Sequence, residues 1–162
     1  MYEDRIDRAV ELFMSGYNCS QSVVAAFADL YGFTFEQALL MSASFGGGIG
    51  RMRMTCGSAC GMFMLAGLDC GTVVGEDRVG KSNNYAVVQE LAARFKEEKG
   101  SLICAELLGL RKQPEGYHNP EAEKRTAAYY AKRPCVRMVE CAARLFAEYL
   151  TKKTQHEDIA TR

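Results

Sequence analysis

Apolar positions along this chain recur every three or four residues and almost never alternate. Over residues 3–15, Ile6, Ala9, Val10 and Phe13 share one stripe, with Asp4, Arg5, Asp7 and Arg8 outside it. That spacing predicts an amphipathic helix, and Gly16 is its expected stop. Asn18 then caps a second helix over 19–31 that buries Val23, Val24, Phe27 and Leu30, closed by Gly32. Thr34 with Gln37 three residues on is a capping-box pair. The third helix they begin runs through Ala38, Leu39 and Met41 until the glycines at 46 to 48 break it.

A fourth helix is expected from about Thr55 to Asp69 or Cys70, after the glycine-rich loop, and a loop over 71–81. A strong helix follows over 82–99, with Tyr85, Val88, Leu91, Ala92 and Phe95 inward and Gly100 at its end. Ser101 can cap a short helix over 102–108. The stretch 109–120 holds Pro114 and Pro120 and reads as an irregular surface loop. A polar helix is expected over 121–131. The last helix is set by Pro134 in its first turn and buries Val136, Val139, Ala143, Phe146 and Leu150. These elements predict an all-α, single-domain bundle of seven or eight helices over 1–151, then a frayed polar tail over 152–162.

Composition narrows the function. The chain has 162 residues, 20 basic and 20 acidic, so no net charge or basic block speaks for nucleic acid. The longest apolar run, within 62–68, is far short of a membrane span. The opening Met-Tyr-Glu-Asp-Arg lacks a basic region followed by an apolar run, which predicts a cytoplasmic chain. Seven cysteines are many for that compartment. Their odd number argues against a fully paired disulfide framework. No Cys-x-x-Cys occurs, and the two histidines, His118 and His156, make a histidine-rich metal site a poor expectation.

Four cysteines share a local setting. Cys19 follows the cap Asn18, Cys56 follows Thr55, Cys104 lies three residues after Ser101, and Cys135 follows Pro134. Each is expected in a first helical turn, where free N–H groups and the helix dipole favour an anion. A thiol there can fall from about 8.5 toward roughly 3.5–7.5 in pKa when positive groups help. Arg51 and Arg53 precede Cys56, and Arg133 precedes Cys135. Buried free cysteine is also an ordinary small hydrophobe, the reading that suits Cys70 and Cys141. Cys60, one turn beyond Cys56, suits packing or a resolving thiol.

Gly57 and Gly61 leave one face of the fourth helix bare, so another backbone or a bulky inorganic group can approach. The loop Gly46, Gly47, Gly48, Ile49, Gly50 lacks the preceding strand, the full dinucleotide spacing and the lysine of a phosphate loop. Met52, Met54, Met62 and Met64 suit core packing better than soft-metal ligation.

At Cys56-Gly57-Ser58-Ala59-Cys60-Gly61 the chain resembles the redox-active C_GCAxxG_C_C family, small chains with four characteristic cysteines and a CGAxxG motif, here with serine in place of the alanine. Cys19, Cys56, Cys104 and Cys135 match the four cysteines, and the resemblance spans about residues 9–150. It implies electron or thiol chemistry, and the four cysteines of some multidomain relatives suggest an iron–sulfur site.

The leading expectation is that Cys19, Cys56, Cys104 and Cys135 ligate a redox centre, most simply an iron–sulfur cluster for electron transfer. Gly46, Gly47, Gly48, Gly50, Gly57 and Gly61 would then admit the group and present backbone N–H donors. A metal-free thiol–disulfide protein, a structural zinc site and a helical partner-binding module, dimeric through the Gly57/Gly61 face, are the alternatives. An electron-transfer role would also require a redox partner, which the sequence does not identify.

Overall fold

Asn18 and Thr34 begin their helices by the same reciprocal device. The Asn18 side chain accepts from the Gln21 N–H at 2.9 Å, and Gln21 accepts from the Asn18 N–H at 3.1 Å. Thr34 and Gln37 repeat the exchange. In the computed structural model, which describes residues 1–110 and 119–160, eight α-helices form and no strand appears among the described residues. They are α1 (Glu3–Met14), α2 (Cys19–Ala25), α3 (Phe35–Ser42), α4 (Gly57–Cys70), α5 (Arg78–Lys99), α6 (Cys104–Leu107), α7 (Ala127–Lys132) and α8 (Cys135–Ala160). The fold is the all-α bundle that the periodicity predicts.

Helix α4 is buried on nearly every side, through Ala59, Met62, Leu65 and Ala66, as its almost purely apolar sequence requires. It packs against α2, α5 and α8, while α1 lies along α8. The core is closed by Phe146 of α8, whose ring meets Phe27 edge-on at 5.2 Å between centroids. Gly57 and Gly61 put their bare face against α2. A Cβ on Gly61 would stand 3.0 Å from the Ser20 carbonyl oxygen and 3.1 Å from the Val23 Cβ. This face is filled from within the chain, so it is not open to a second copy.

Several expected boundaries shift for local reasons. Helix α2 stops at Ala25, because Phe27 leaves α geometry (φ −129°) to bury its ring, and a 3₁₀ turn over Ala28–Tyr31 carries the chain on. Helix α5 starts at Arg78, four residues early, because the Asp77 side chain accepts from the Gly80 N–H at 2.8 Å. Its inward line is Asn84, Val88, Leu91 and Phe95, so Tyr85 falls one position off and is 60% exposed. Residues 121–126 are not helical; the Thr126 side chain caps α7 by accepting from Tyr129. Of the loop expected over 109–120, residues 111–118, with Pro114 and His118, lie outside the described residues.

The expected frayed tail is instead the last turns of α8, which continues to Ala160. Lys153 reaches back to Asp69 at 3.0 Å, and the Tyr149 and Tyr31 hydroxyls donate to the same carboxylate at 2.7 and 3.1 Å. The Asp69 side chain is only 8% exposed, and it ties the end of α4 to α8 and to the 3₁₀ turn. Asp69→Asn is expected to lower the unfolding free energy by about 1.5–3 kcal/mol, the range for hydrogen bonds to a charged group. Urea unfolding checks it; an unchanged midpoint would contradict this role.

Candidate functional site

Four helix starts meet at one end of the bundle. Thr55 and Ile103 form an isolated antiparallel bridge. Around it the Cys56 N–H donates to the Leu102 carbonyl at 2.7 Å and the Cys104 N–H to the Met54 carbonyl at 2.6 Å. This stitching sets Cys56 at the cap of α4 beside Cys104 at the first position of α6. Cys19 opens α2 against the bare Gly57, where a Cβ would come within 2.5 Å of the Cys19 sulfur. Cys135 opens α8. All four line one cavity of about 290 Å³.

The glycine loop holds one wall through a left-handed coil. Gly47, Gly48, Ile49, Gly50, Arg51 and Arg53 all take φ between 57° and 72°. For the three non-glycine residues that region costs about 1–2 kcal/mol each. The loop's own hydrogen bonds, such as Arg53 N–H to the Gly47 carbonyl and Met54 N–H to the Gly48 carbonyl, hold them there. The coil brings Arg51 and Arg53 to the cavity, with the Arg53 guanidinium 3.8 Å from the Cys104 sulfur.

Of the six glycines expected at the site, Gly46, Gly47, Gly50 and Gly57 line the cavity. Gly48 stands behind Cys104, whose Cβ a side chain there would meet at 2.5 Å. Gly61, a turn deeper, serves the packing of α4 on α2.

Residues 119–126 form a strap over the opposite side, contributing Pro120, Ala122, Glu123 and Arg125. Glu123 pairs with Arg133 at 2.7 Å and lies 4.0 Å from Arg51. Burial alone would raise the Glu123 pKa, but the Arg133 hydrogen bond and the charges of Arg133, Arg51 and Arg53 hold it below the usual carboxylate range. With the folded value depressed, the strap's hold is complete above the ordinary glutamate pKa and lost as pH falls through the lower folded value. Proteolysis within 119–126 is expected to accelerate in acid and to be insensitive to pH in Glu123→Gln. Equal acid sensitivity in the two proteins would contradict the pairing.

Arg125 is the site residue that the sequence reading missed, and no local pattern marks it. Its guanidinium lies 4.7 Å from the ring centres of both Phe13 and Tyr129. Arg51, Arg53, Arg125 and Arg133 thus face the cavity against the single carboxylate of Glu123 among its described lining residues. The surroundings favour an anion.

Three of the site thiols, Cys56, Cys104 and Cys135, are not the low-pKa groups expected from helix starts. Burial, first, and then the neighbouring Cys19 thiol push Cys56 up to about 12, against the N–H groups of Ala59 and Ser58. Burial, then Cys19 and Cys104, push Cys135 up to about 11 against Arg133 and Arg53. Cys104 is also raised, by burial that outweighs the Arg53 contact. A helix end contributes about 0.3–1 kcal/mol, less than one pKa unit, whereas burial can shift a group by about 3–5 units. Burial decides.

All seven cysteines are free thiols. Cys60, Cys70 and Cys141 do not line the cavity. Cys60 bonds the Thr55 carbonyl at 3.8 Å, Cys70 bonds the Ala66 carbonyl within α4, and Cys141 meets Glu98 at 3.6 Å. Among the described residues, no three Cys, His, Asp or Glu side chains close on a point as ligands of a single ion. The four site cysteines line a shared cavity instead.

The chain belongs to the family described as "Putative redox-active protein (C_GCAxxG_C_C)", which matches residues 17–149. The match takes in all four site cysteines, the glycine loop and the strap. No curated protein and no solved structure matches it. Among the described residues no helix is long and apolar enough to cross a membrane.

Proposed function

We propose that this redox-active family member holds an iron–sulfur cluster on Cys19, Cys56, Cys104 and Cys135 and uses it in electron transfer with a separate redox partner. The observation that carries the reading is the convergence of four thiols from four different helix starts on one cavity lined by four arginines. Four cysteine sulfurs are the usual ligand set of such a cluster, which when bound would supply one-electron chemistry.

The donor set fits. The thiols bind as thiolates and release their protons on loading, and Arg51, Arg53, Arg125 and Arg133 offset the charge that results. The free N–H groups of Ser58 and Ala59, in the first turn of the helix that Cys56 caps, would be donors to a thiolate there. Phe13, Met138, Leu107 and the strap line the remaining sides.

A single zinc ion is less well served. It needs four sulfurs at about 2.3 Å from one point, and among the described residues no three such side chains close on one point. A partner-binding module leaves the arginine lining without a role; metal-free thiol–disulfide exchange would use it to favour thiolates but needs only two of the four cysteines that line the cavity. Anaerobic reconstitution with ferrous iron and sulfide is expected to give broad visible absorption that bleaches with dithionite. Equal uptake of iron by a chain lacking all four cysteines would refute the assignment.

A further inference from the structure

Three buried side-chain polar atoms have no hydrogen-bond partner among the described residues: Ser20 Oγ, Ser58 Oγ and Arg125 Nη1. Two of the three residues, Ser58 and Arg125, line the thiol cavity. Native chains rarely leave such groups unmet, and a charged donor left alone costs more than a neutral one.

The surroundings of Arg125 show how it is directed. Nη2 donates to the Tyr17 carbonyl at 3.2 Å, and the rings of Phe13, Tyr129 and Tyr130 surround the guanidinium at 4.7, 4.7 and 5.9 Å. These contacts fix the group and leave Nη1 shielded from solvent. Ser58 is fully buried, two residues beyond Cys56.

Resting on the cluster reading, we infer that Ser58 and Arg125 donate hydrogen bonds to the group held by the four thiols and raise its reduction potential. Reduction adds negative charge to the site. A hydroxyl dipole and a guanidinium held against that charge stabilise the reduced state more than the oxidised one. Neither residue is a metal ligand. Ser20 has the same unmet hydroxyl but packs beneath α4, away from the cavity wall, so it serves as the internal control.

The test is a dye-mediated redox titration of the anaerobically reconstituted protein, with iron and sulfide measured in each sample. Ser58→Ala, which removes only the unmet hydroxyl, is expected to retain wild-type iron and sulfide but titrate at a lower potential. Arg125→Gln is expected to shift further in the same direction, and Ser20→Ala not at all. Ser58→Ala keeps the question decidable even if Arg125→Gln fails to fold. A loaded protein whose potential is unmoved by Ser58→Ala overturns this inference and leaves the cluster reading intact. A wild-type chain that takes up no iron overturns both.

Discussion

Replacing any one of Cys19, Cys56, Cys104 or Cys135 by serine is expected to remove most of the bound iron and visible absorption, nearly as much as replacing all four. Ligands of one centre act as a unit, so single losses approach the combined loss rather than adding to it. Serine matches cysteine in shape but is a poor ligand for a soft metal and cannot form a disulfide. The remaining cysteines provide the contrast. Cys60, Cys70 and Cys141 lie off the cavity wall, so their serine variants should keep wild-type iron. For Cys70 and Cys141 the change in stability should stay within roughly 1–2 kcal/mol. Iron per chain, read beside the absorption spectrum, checks the series. Retention of wild-type iron in the four single variants would remove the basis of the site assignment.

Gly57→Ala is expected to damage fold and site together. The added methyl would lie 2.5 Å from the Cys19 sulfur and 2.6 Å from the Phe45 carbonyl oxygen. Relief requires α2 or the glycine-loop wall to move, displacing Cys19 as well. Overpacking of this kind costs about 1–3 kcal/mol, more where backbone must shift. Gly61→Leu drives a whole side chain toward Ser20 and Val23 and should lie at or above the top of that range. Gly75→Leu, with nothing within 4 Å of the added Cβ, should stay within about 0.5 kcal/mol, as exposed substitutions do. Thermal unfolding with iron content separates the three. Equal melting temperatures for Gly61→Leu and Gly75→Leu would contradict the packing role of the bare face.

Much of this is written locally. The Asn18–Gln21 and Thr34–Gln37 exchanges, the apolar α4 and the period of α8 each depend on residues a few positions apart, and each is legible in sequence. The four cysteines are legible because each sits beside a helix-start signal. Features set by contacts distant in sequence are not. Tyr85 fits the helical period but falls one position off the inward line, which Asn84 takes instead. Lys153 looks like tail until Asp69, far back in the chain, draws it in. Arg125 gains its place from Phe13 and Tyr129, which nothing in its own neighbourhood announces. The raised pKa values of Cys56, Cys104 and Cys135 are illegible for the same reason: a helix start is visible in sequence, whereas burial is not.

The most direct test of the central claim is the ratio of iron, acid-labile sulfide and chain in wild-type protein purified without oxygen. A cluster on Cys19, Cys56, Cys104 and Cys135 requires iron and inorganic sulfide together, retained through gel filtration and lost on Cys104→Ser. Zinc without sulfide, or a chain that remains metal-free after anaerobic purification and reconstitution with iron and sulfide, would contradict it.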